Sequence, residues 1–392
     1  MNEKYVEALE QYDMEVRAVR KGRGSWICET DQGCRLLKEY RGTARRLEFE
    51  DEVLGRLDTR GSLRADRYLR NREGGLMTVT GDGTRYILKD WFLDRECNIK
   101  DGYEIRQALS RLAMLHSQLR KIEFKEEWNM GSILSGPLEE ELERHNREMQ
   151  RARNYIRSKR KKSEFELCVI GSYQMFYDQA LEAVQGIREL WPGAGELPAE
   201  GGGQYGSGQY GSRQYESRQY ESGQYGTGKC LKLGPYQDDQ DALEAAEVQP
   251  SGQKDRKPLY LCHGDLDQHH VLMGGSYTAI IEYNRMHLGI QISDLYRFMR
   301  KVMEKHGWNL DLGLSMLDSY ERVLPMEPKE RGCLYYLFLY PEKYWKQLNF
   351  YYNANKAWIP ARNTDKLRGL EEQQQMISSM TLPTTREVLS SP

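Results

Sequence analysis

The chain has 392 residues, enough to bury a full hydrophobic core and to divide into two lobes, since single cores stop growing at roughly 250–300 residues. Its 57 basic and 59 acidic residues leave a formal charge of −2, which excludes the electrostatic footprint of a nucleic-acid-binding protein. No apolar run approaches the ~20 residues of a membrane span, and the seven scattered cysteines form no Cys-x-x-Cys pair, which excludes a zinc site or a disulfide framework.

Three antiparallel strands joined by tight turns are predicted over residues 15–40. Apolar and polar residues alternate there, and the alternation is interrupted at Gly22-Arg23-Gly24 and at Asp31-Gln32-Gly33, which are typical turn sequences. Lys38 falls on the third of these strands. A lone lysine on a strand is usually solvated, so this placement alone assigns it no role.

A helix is predicted from Arg45 to Leu57. Its apolar residues recur at helical spacing and can share one face; they are Leu47, Val53, Leu54 and Leu57. Glu50 and Glu52 lie among them. Taken alone, either glutamate fits an ordinary charged helix face as well as it fits a functional role.

Two further strands and three helices are predicted before residue 192, over 75–79, 85–92, 103–119, 137–162 and 165–191. His116 lies on the apolar face of the first of these helices, and we interpret it as a packed structural residue. The basic run Lys159-Arg160-Lys161-Lys162 suits a helix C-terminus, where cations complement the helix dipole.

Composition changes abruptly at Pro192. Up to Lys257 the chain is rich in Gly, Ser, Gln and acidic residues, which provide too little apolar surface to offset the entropy of ordering. We therefore predict a disordered insertion. Five pentapeptide repeats over residues 204–228 place one tyrosine in every five residues, at Tyr205, Tyr210, Tyr215, Tyr220 and Tyr225. Two interpretations stay open, namely repeated weak contacts between chains and an inert linker.

After the insertion, an apolar strand leads into the turn His263-Gly264-Asp265. A polar loop and a second apolar strand follow, and a third short strand ends at Glu282. A helix is predicted to begin near Asp294. The aromatic-rich stretch over residues 335–358 predicts the packing of C-terminal helices in a core.

These residues resemble aminoglycoside and choline phosphotransferases and, more narrowly, the CotS-type spore coat proteins of endospore-forming bacteria. The His-Gly-Asp turn carries the broad resemblance, and the C-terminal aromatic signature is its most specific part. The motifs are Thr30-x-x-Gly33-x-x-x-Leu37-Lys38, Cys262-His263-Gly264-Asp265 with His269, Tyr340-Pro341-Glu342-Lys343-Tyr344-Trp345, and Tyr352-Asn353-x-x-Lys356-x-Trp358-Ile359.

The resemblance implies a two-lobed α/β fold of the protein-kinase-like, aminoglycoside phosphotransferase type, with the disordered insertion in its C-terminal lobe. It predicts an N-terminal lobe of sheet plus one helix, a helical first part of the C-terminal lobe, the insertion, a second part with the catalytic-loop-like motif, and a polar tail. The boundaries are 1–92, 93–191, 192–257, 258–375 and 376–392.

The resemblance also implies roles for individual residues. Asp265 occupies the place of the catalytic base, which accepts the proton of the substrate hydroxyl. Lys38 occupies the place of the lysine that holds nucleotide phosphates. Glu50 aligns with the glutamate that pairs with this lysine, and Glu52 is the alternative. Asp294 matches an aspartate that steadies the catalytic loop.

The metal half of the motif differs from the pattern of the family. His270 stands where the metal-binding Asn is expected, and Glu282 and Asn284 stand where two Asp residues are expected. Magnesium favours hard oxygen ligands in a near-octahedral arrangement, and an imidazole offers nitrogen instead. The resemblance therefore implies ATP as the cofactor and predicts weak binding of Mg²⁺ or Mn²⁺.

Two functions follow from this mixture of matching and altered residues. The first is a spore coat protein on a kinase-like scaffold that has lost phosphoryl transfer and acts in coat assembly. We then expect other coat proteins as partners, and a location in the cytoplasm of the mother cell and later in the coat. The alternative is an active ATP-dependent phosphotransferase, acting on a small molecule or a protein, with Asp265 as its base.

Overall fold

The computed structural model describes residues 4–22, 24–134, 136–191, 259–353 and 361–379. They belong to one compact unit, with strands concentrated in its N-terminal part and helices in its C-terminal part. The predicted insertion at 192–257, including its tyrosine repeats, lies outside the described residues. The predicted tail begins within the last described helix and continues beyond the described residues.

Twelve short strands occur in the described residues, namely β1 (Val16–Lys21), β2 (Ser25–Thr30), β3 (Gly33–Glu39), β4 (Leu63–Ala65), β5 (Tyr68–Leu69), β6 (Thr78–Val79), β7 (Arg85–Asp90), β8 (Arg95–Glu96), β9 (Tyr260–Cys262), β10 (Val271–Met273), β11 (Thr278–Ile280) and β12 (His287–Gly289). The same residues form ten α-helices, namely α1 (Lys4–Leu9), α2 (Ala44–Arg56), α3 (Gly102–Leu119), α4 (Leu138–Ser158), α5 (Glu164–Leu190), α6 (Ile292–Lys305), α7 (Leu310–Glu321), α8 (Pro328–Leu339), α9 (Glu342–Asn353) and α10 (Ala361–Ser379).

An antiparallel six-stranded sheet dominates the N-terminal lobe. Its strand order is β1-β2-β3-β7-β5, and β6 also pairs with β7. Gly24 and Gly33 turn the chain between its first three strands with φ of 67° and 106°, values that glycine adopts without steric cost. The three strands predicted over residues 15–40 are therefore confirmed.

Strand register places two lysines on the same face of this sheet. Across β3 and β7, Lys38 pairs with Ile87 and Leu36 pairs with Lys89. Alternate residues of a strand share a face and directly paired residues lie side by side, so these four side chains point the same way. Ile87 belongs to the main hydrophobic core, whereas Leu37 packs against α1 on the opposite face. Both lysines therefore face the main core and the C-terminal lobe.

A second sheet joins the two lobes. Its order is β4-β11-β10-β8, and β4 from the N-terminal lobe runs parallel to β11 from beyond the insertion. Two more strands, β9 and β12, pair antiparallel beside it. One continuous hydrophobic core runs from α2 through α3 and α5 to α8 and α9. The segments that carry the catalytic-loop-like motif are thus fixed to both lobes.

The C-terminal aromatic signature packs α9 and the end of α8 onto α4 and α5. The hydroxyl of Tyr340 donates to Asn146 Oδ1 at 2.9 Å, and that of Tyr344 donates to the carbonyl of Val169 at 3.0 Å. The ring of Trp345 stacks on His145 with 3.6 Å between centroids. Core packing, as predicted for this stretch, is therefore confirmed for its described part.

The helix predicted over residues 137–162 ends earlier, because α4 stops at Ser158. Its basic run follows the helix instead of forming its last turn. The reason lies in the next helix: Ser163 and Glu166 form a capping box at the start of α5, and Lys159 Nζ donates to Glu166 at 2.5 Å. The chain between these helices must turn to form these contacts.

The cysteines of the described residues are all free thiols. Burial raises the pKa of Cys97 and Cys333 to about 12, so these two thiols stay protonated and pack as small hydrophobic groups. Of the helices in the described part of the chain, none has the length and apolar character needed to cross a membrane.

Gly264 fixes the turn between β9 and the following short 3₁₀ helix. Its φ is 86°, and a Cβ atom built there would lie 2.2 Å from the carbonyl oxygen of Arg285. Backbone atoms cannot move aside as a flexible side chain can. An alanine at this position would therefore combine a strained backbone with a steric clash.

We expect Gly264→Ala to lower the free energy of unfolding by about 2 kcal/mol or more, measured by urea denaturation. Gly275→Ala is the matched control, because Gly275 lies in a nearby turn without positive φ and its Cβ would meet open space. Equal urea midpoints for the two variants would contradict the described geometry of the turn.

Candidate functional site

An ion pair between the lobes occupies the cleft. Lys38 Nζ donates to Glu282 Oε2 at 2.9 Å and to Oε1 at 3.2 Å. The Lys38 side chain is 28% exposed and that of Glu282 is 16% exposed. The pair is partly shielded from water, so its attraction is stronger than that of a surface salt bridge. Two residues predicted as site residues from the sequence are thus in direct contact.

The backbone of Glu282 is held as firmly as its side chain. Glu282 follows β11 with φ of 68° and ψ of 57°, a left-handed conformation that is uncommon outside glycine. Its N–H donates to Asp66 Oδ2 at 3.0 Å. This bond comes from the turn between β4 and β5, so the N-terminal lobe fixes both the backbone and the carboxylate of Glu282.

Asp66 also binds the second lysine on this face of the sheet. Lys89 Nζ donates to Asp66 Oδ2 at 3.1 Å and lies 4.7 Å from the ring centroid of Tyr68. Both Lys89 and Asp66 are almost completely buried. A buried ammonium ion is costly unless carboxylates compensate its charge. Lys89 is therefore an integral part of the charge arrangement in the cleft.

The titration of these groups follows from burial and from the two lysines. Burial by itself would raise the pKa of Glu282, but the ammonium groups of Lys89 and Lys38 outweigh burial and hold that pKa well below its ordinary value. Burial raises the pKa of Asp66 and the nearby Glu282 carboxylate raises it further, against the attraction of Lys89. Nearby carboxylates raise the pKa of Lys89 despite its burial.

Glu50 is not the partner of Lys38, and the pairing expected from the sequence is wrong. Its carboxylate accepts hydrogen bonds from Arg46 Nε at 2.6 Å and from the hydroxyl of Tyr68. Arg46 lies one turn earlier on α2 and reaches Glu50 inside the lobe, where Glu50 is fully buried. A role of Glu50 in nucleotide binding stays a prediction.

Glu52, the alternative, also lacks the expected contact with Lys38. It lies closer to the surface, where it accepts from Arg56 Nη2 at 2.7 Å and from Lys125. The Nε1 atom of Trp128 donates to the same carboxylate at 3.0 Å. Glu52 thus anchors α2 to the loop after α3.

Arg46 ties helix α2 to the segment that follows Glu282. Its Nη2 donates to the carbonyl of Met286 at 2.5 Å, and its Nη1 donates to the carbonyl of Ser132 at 3.1 Å. The guanidinium therefore bridges Glu50 and two segments of the C-terminal lobe. It is the third cation of the cleft, together with Lys38 and Lys89.

The His-Gly-Asp turn is anchored by Asp294 at the start of α6. One carboxylate oxygen accepts from the N–H of His263 at 2.7 Å, and the other accepts from the N–H of Gly264 at 2.9 Å. His116 Nε2 lies 3.4 Å from the same carboxylate, and its Nδ1 lies 2.7 Å from the hydroxyl of Tyr320. The structural roles predicted for Asp294 and His116 are confirmed.

His263 is a neutral structural residue. Its Nε2 must carry the proton, because it lies 3.0 Å from the carbonyl of Ile281, which can only accept. Its Nδ1 then accepts from the N–H of Asp265 at 3.3 Å. Burial lowers the pKa of His263 to about 4, so the ring is uncharged at neutral pH and holds the turn against the end of β11.

Asp265 projects from this turn towards solvent. Its side chain is 41% exposed, and its Oδ1 lies 3.3 Å from Nη1 of Arg297 on α6. An acceptor hydroxyl can reach a carboxylate with this exposure, as general-base chemistry requires. The contact with Arg297 was not predicted from the sequence.

His270, a second altered metal-ligand position, stabilises the loop that carries Asp265. Its Nδ1 donates to the carbonyl of Asp265 at 2.6 Å, and its own carbonyl accepts from the N–H of Ile281 at 3.0 Å. The side chain of Asn284 is exposed, while the Asn284 carbonyl accepts from Arg46 at 3.4 Å. Structural contacts therefore occupy the side chains of Glu282 and His270, whereas Asn284 contributes only its backbone carbonyl.

The residues present do not fit a magnesium site of the kinase type. Glu282 is neutralised by ammonium groups, His270 offers an imidazole, and Asn284 lies at the surface. Across the described parts of the chain, no group of three or more His, Cys, Asp or Glu side chains could hold a metal ion. Lys38 remains suited to phosphate, because its ammonium is partly exposed in the cleft.

Lys89 and Asp66 are the functional candidates that sequence analysis missed. A usable signal was present for Lys89, because period-2 alternation along Arg85-Tyr86-Ile87-Leu88-Lys89 places it beside Ile87 on the inner face. Asp66 carried no comparable signal, since it follows the three-residue strand β4.

No family model matches the chain, and a search of curated proteins found no match. The resemblance to spore coat proteins is therefore still a prediction. Solved structures do match over nearly the whole chain. An aminoglycoside phosphotransferase from Alicyclobacillus acidocaldarius superposes with a TM-score of 0.68 at 12% identity, covering 95% of this chain and 93% of that protein.

Two further solved structures have the same fold. The AMP-bound complex of a spectinomycin phosphotransferase matches with a TM-score of 0.55 at 10% identity, over 96% of this chain and 98% of that one. The complex of an amicoumacin kinase with AMP-PNP, Ca²⁺ and its antibiotic matches with a TM-score of 0.53 at 10% identity, over 97% and 94%. The chain thus has the two-lobed, protein-kinase-like fold of aminoglycoside phosphotransferases.

Proposed function

We propose that this protein is a non-catalytic member of the kinase-like fold that acts in the assembly of a spore coat. The observation that carries the loss of catalysis is the ion pair between Lys38 and Glu282. It joins the phosphate-binding lysine to the carboxylate at the metal-ligand position, and the other two metal-ligand positions provide no replacement.

Phosphoryl transfer in this fold depends on metal ions that bridge the phosphates and neutralise the developing charge. A magnesium ion needs several oxygen ligands at 2.0–2.1 Å in near-octahedral geometry. His270 is hydrogen-bonded to the carbonyl of Asp265, and Asn284 is exposed. Catalysis would therefore have to proceed with one carboxylate where the fold normally supplies a set of ligands.

The coat assignment rests on the motifs of the sequence. The aromatic signature that resembles spore coat proteins forms packed contacts between α4, α5 and α9, which supports its role as a feature of the scaffold. On this proposal the protein is made in the cytoplasm of the mother cell, is later incorporated into the coat, and has other coat proteins as partners. On the same proposal, neither a nucleic-acid partner nor a membrane span is expected.

An active ATP-dependent phosphotransferase is the second candidate, and the exposure of Asp265 favours it. The carboxylate of Asp265 projects into solvent from a rigid turn, as expected for a base that receives a hydroxyl proton. The fold is shared with phosphotransferases whose solved structures contain AMP or AMP-PNP. Turnover of ATP on an identified acceptor decides between the two candidates.

We expect the unmodified protein to transfer phosphate at background rates with either Mg²⁺ or Mn²⁺. The combined variant His270→Asn, Glu282→Asp and Asn284→Asp restores the residue types expected at the three metal-ligand positions and should bind Mg·ATP at least tenfold more tightly, a gain of about 1.4 kcal/mol. Isothermal titration calorimetry measures the affinity, and a coupled assay measures turnover.

Asn129→Asp is the control for added charge, because Asn129 is exposed and takes no part in the cleft. It should leave the affinity for Mg·ATP unchanged. Phosphorylation of an acceptor by the unmodified protein at ordinary kinase rates, about 1–100 s⁻¹, would overturn the non-catalytic assignment.

The coat role makes a separate prediction about the repeats at residues 204–228, which lie outside the described residues. Their evenly spaced tyrosines sit in a polar background and can supply many weak contacts whose combined strength exceeds that of any one. Deletion of this segment should leave the thermal midpoint of the protein unchanged and lower its incorporation into an insoluble coat fraction. Equal incorporation of both forms would identify the repeats as an inert linker.

A further inference from the structure

The cleft is balanced in charge without any metal ion. Three cations and three carboxylates from both lobes form one cluster, here called the cleft charge cluster, and its members are Lys38, Arg46, Lys89, Glu50, Asp66 and Glu282. Divalent cations bind where carboxylate charge is in excess. Within this cluster no such excess is left to attract one.

Lys89 neutralises Glu282 independently of Lys38. Lys89 Nζ donates at 3.1 Å to the same Asp66 oxygen that accepts the N–H of Glu282 at 3.0 Å, and its charge lowers the pKa of the Glu282 carboxylate as that of Lys38 does. Lys89 is only 1% exposed and is held by Asp66, so it cannot turn into the cleft towards a ligand. Its charge therefore stays beside Glu282 when Lys38 moves away.

Lys38, in contrast, is free to change partners. Its side chain is 28% exposed and lies at the end of a strand that faces the cleft. A lysine ammonium is a compact charge on a flexible stem, and it binds phosphate oxygens readily. Exchange of Glu282 for a phosphate group would pair Lys38 with the phosphate, and Glu282 would still have the charge of Lys89 nearby, which it would share with Asp66.

We propose that the cleft binds a ligand bearing a polyphosphate, such as a nucleoside triphosphate, without a divalent cation. Lys38 exchanges Glu282 for the phosphates, and Lys89 takes the part of the metal as the counter-charge of Glu282. This inference rests on the proposed non-catalytic function. It adds the ligand class and the reason why the altered metal positions are tolerated.

Calorimetry on the unmodified full-length chain provides the test, with ATP as the probe in EDTA and in Mg²⁺. The dissociation constant in EDTA should lie within threefold of that in Mg²⁺, or below it. A constant in EDTA that is more than threefold higher, or no binding in EDTA, overturns the inference. Inorganic tripolyphosphate in EDTA should compete with ATP, and failure to compete overturns the assignment of the phosphates as the contact.

Two variants separate the parts of the two lysines. Lys38→Met should abolish binding in both buffers. Lys89→Met should weaken binding in EDTA at least tenfold while Mg²⁺ restores it, because Glu282 then needs an external cation. Lys121→Met is the matched control, since Lys121 is exposed outside the cleft, and it should change neither constant. Equal effects of Lys89→Met in both buffers would contradict the role of Lys89.

Glu282→Gln covers the case in which Lys89→Met fails to fold. It removes the competitor for Lys38 and should tighten ATP binding in EDTA at least threefold, and an unchanged or weaker affinity contradicts the exchange of partners.

The results also distinguish this inference from the proposed function. Binding that requires Mg²⁺ without turnover overturns only the inference, whereas phosphoryl transfer at kinase rates overturns the proposed function.

Discussion

The ion pair between Lys38 and Glu282 joins the N-terminal sheet to the segment after β11, and the geometry of the cleft depends on it. Alone, a partly exposed pair of this kind would contribute little to stability. Here it is continuous with the buried pair of Lys89 and Asp66, which also binds the N–H of Glu282. Removal of one member of a buried pair leaves an uncompensated charge and costs about 3–5 kcal/mol. The cluster therefore holds the two lobes in one arrangement without a ligand.

A second polar network, centred on Asp294, supports the His-Gly-Asp turn from the opposite side. Burial would raise the pKa of Asp294, but the hydrogen bond from His116 helps to keep that pKa well below its ordinary value. Its ionised carboxylate can then accept the N–H groups of His263 and Gly264 at neutral pH. This network contains none of the altered metal positions. The turn can thus keep the geometry of a catalytic loop in a protein whose metal half has changed.

Much of this organisation was predictable from the sequence, because long periodic segments and the glycine turns specify the lobes. The positions of Lys38, Asp265 and Glu282 followed from strand order and from the motif. The partner of Lys38 could not be predicted in this way. Arg46 lies one turn from Glu50 on the same helix and forms the ion pair with Glu50 that was expected of Lys38. Such competition depends on side-chain reach inside the lobe, which spacing along the chain does not encode. The two- and three-residue strands beside Asp66 are too short to show any period.

The charge balance of the cleft changes how its lysine should be interpreted. A lysine at the position of Lys38 is expected in an active enzyme. A non-catalytic protein needs it as well, because without Lys38 the carboxylate of Glu282 would lose one of its counter-charges. The same reasoning applies to Lys89, whose carboxylate partner is completely buried. Neither lysine therefore discriminates between a catalytic and a non-catalytic protein. Asp265 bears on this question more directly, because its exposed carboxylate contributes little to packing and can be reached by an acceptor hydroxyl.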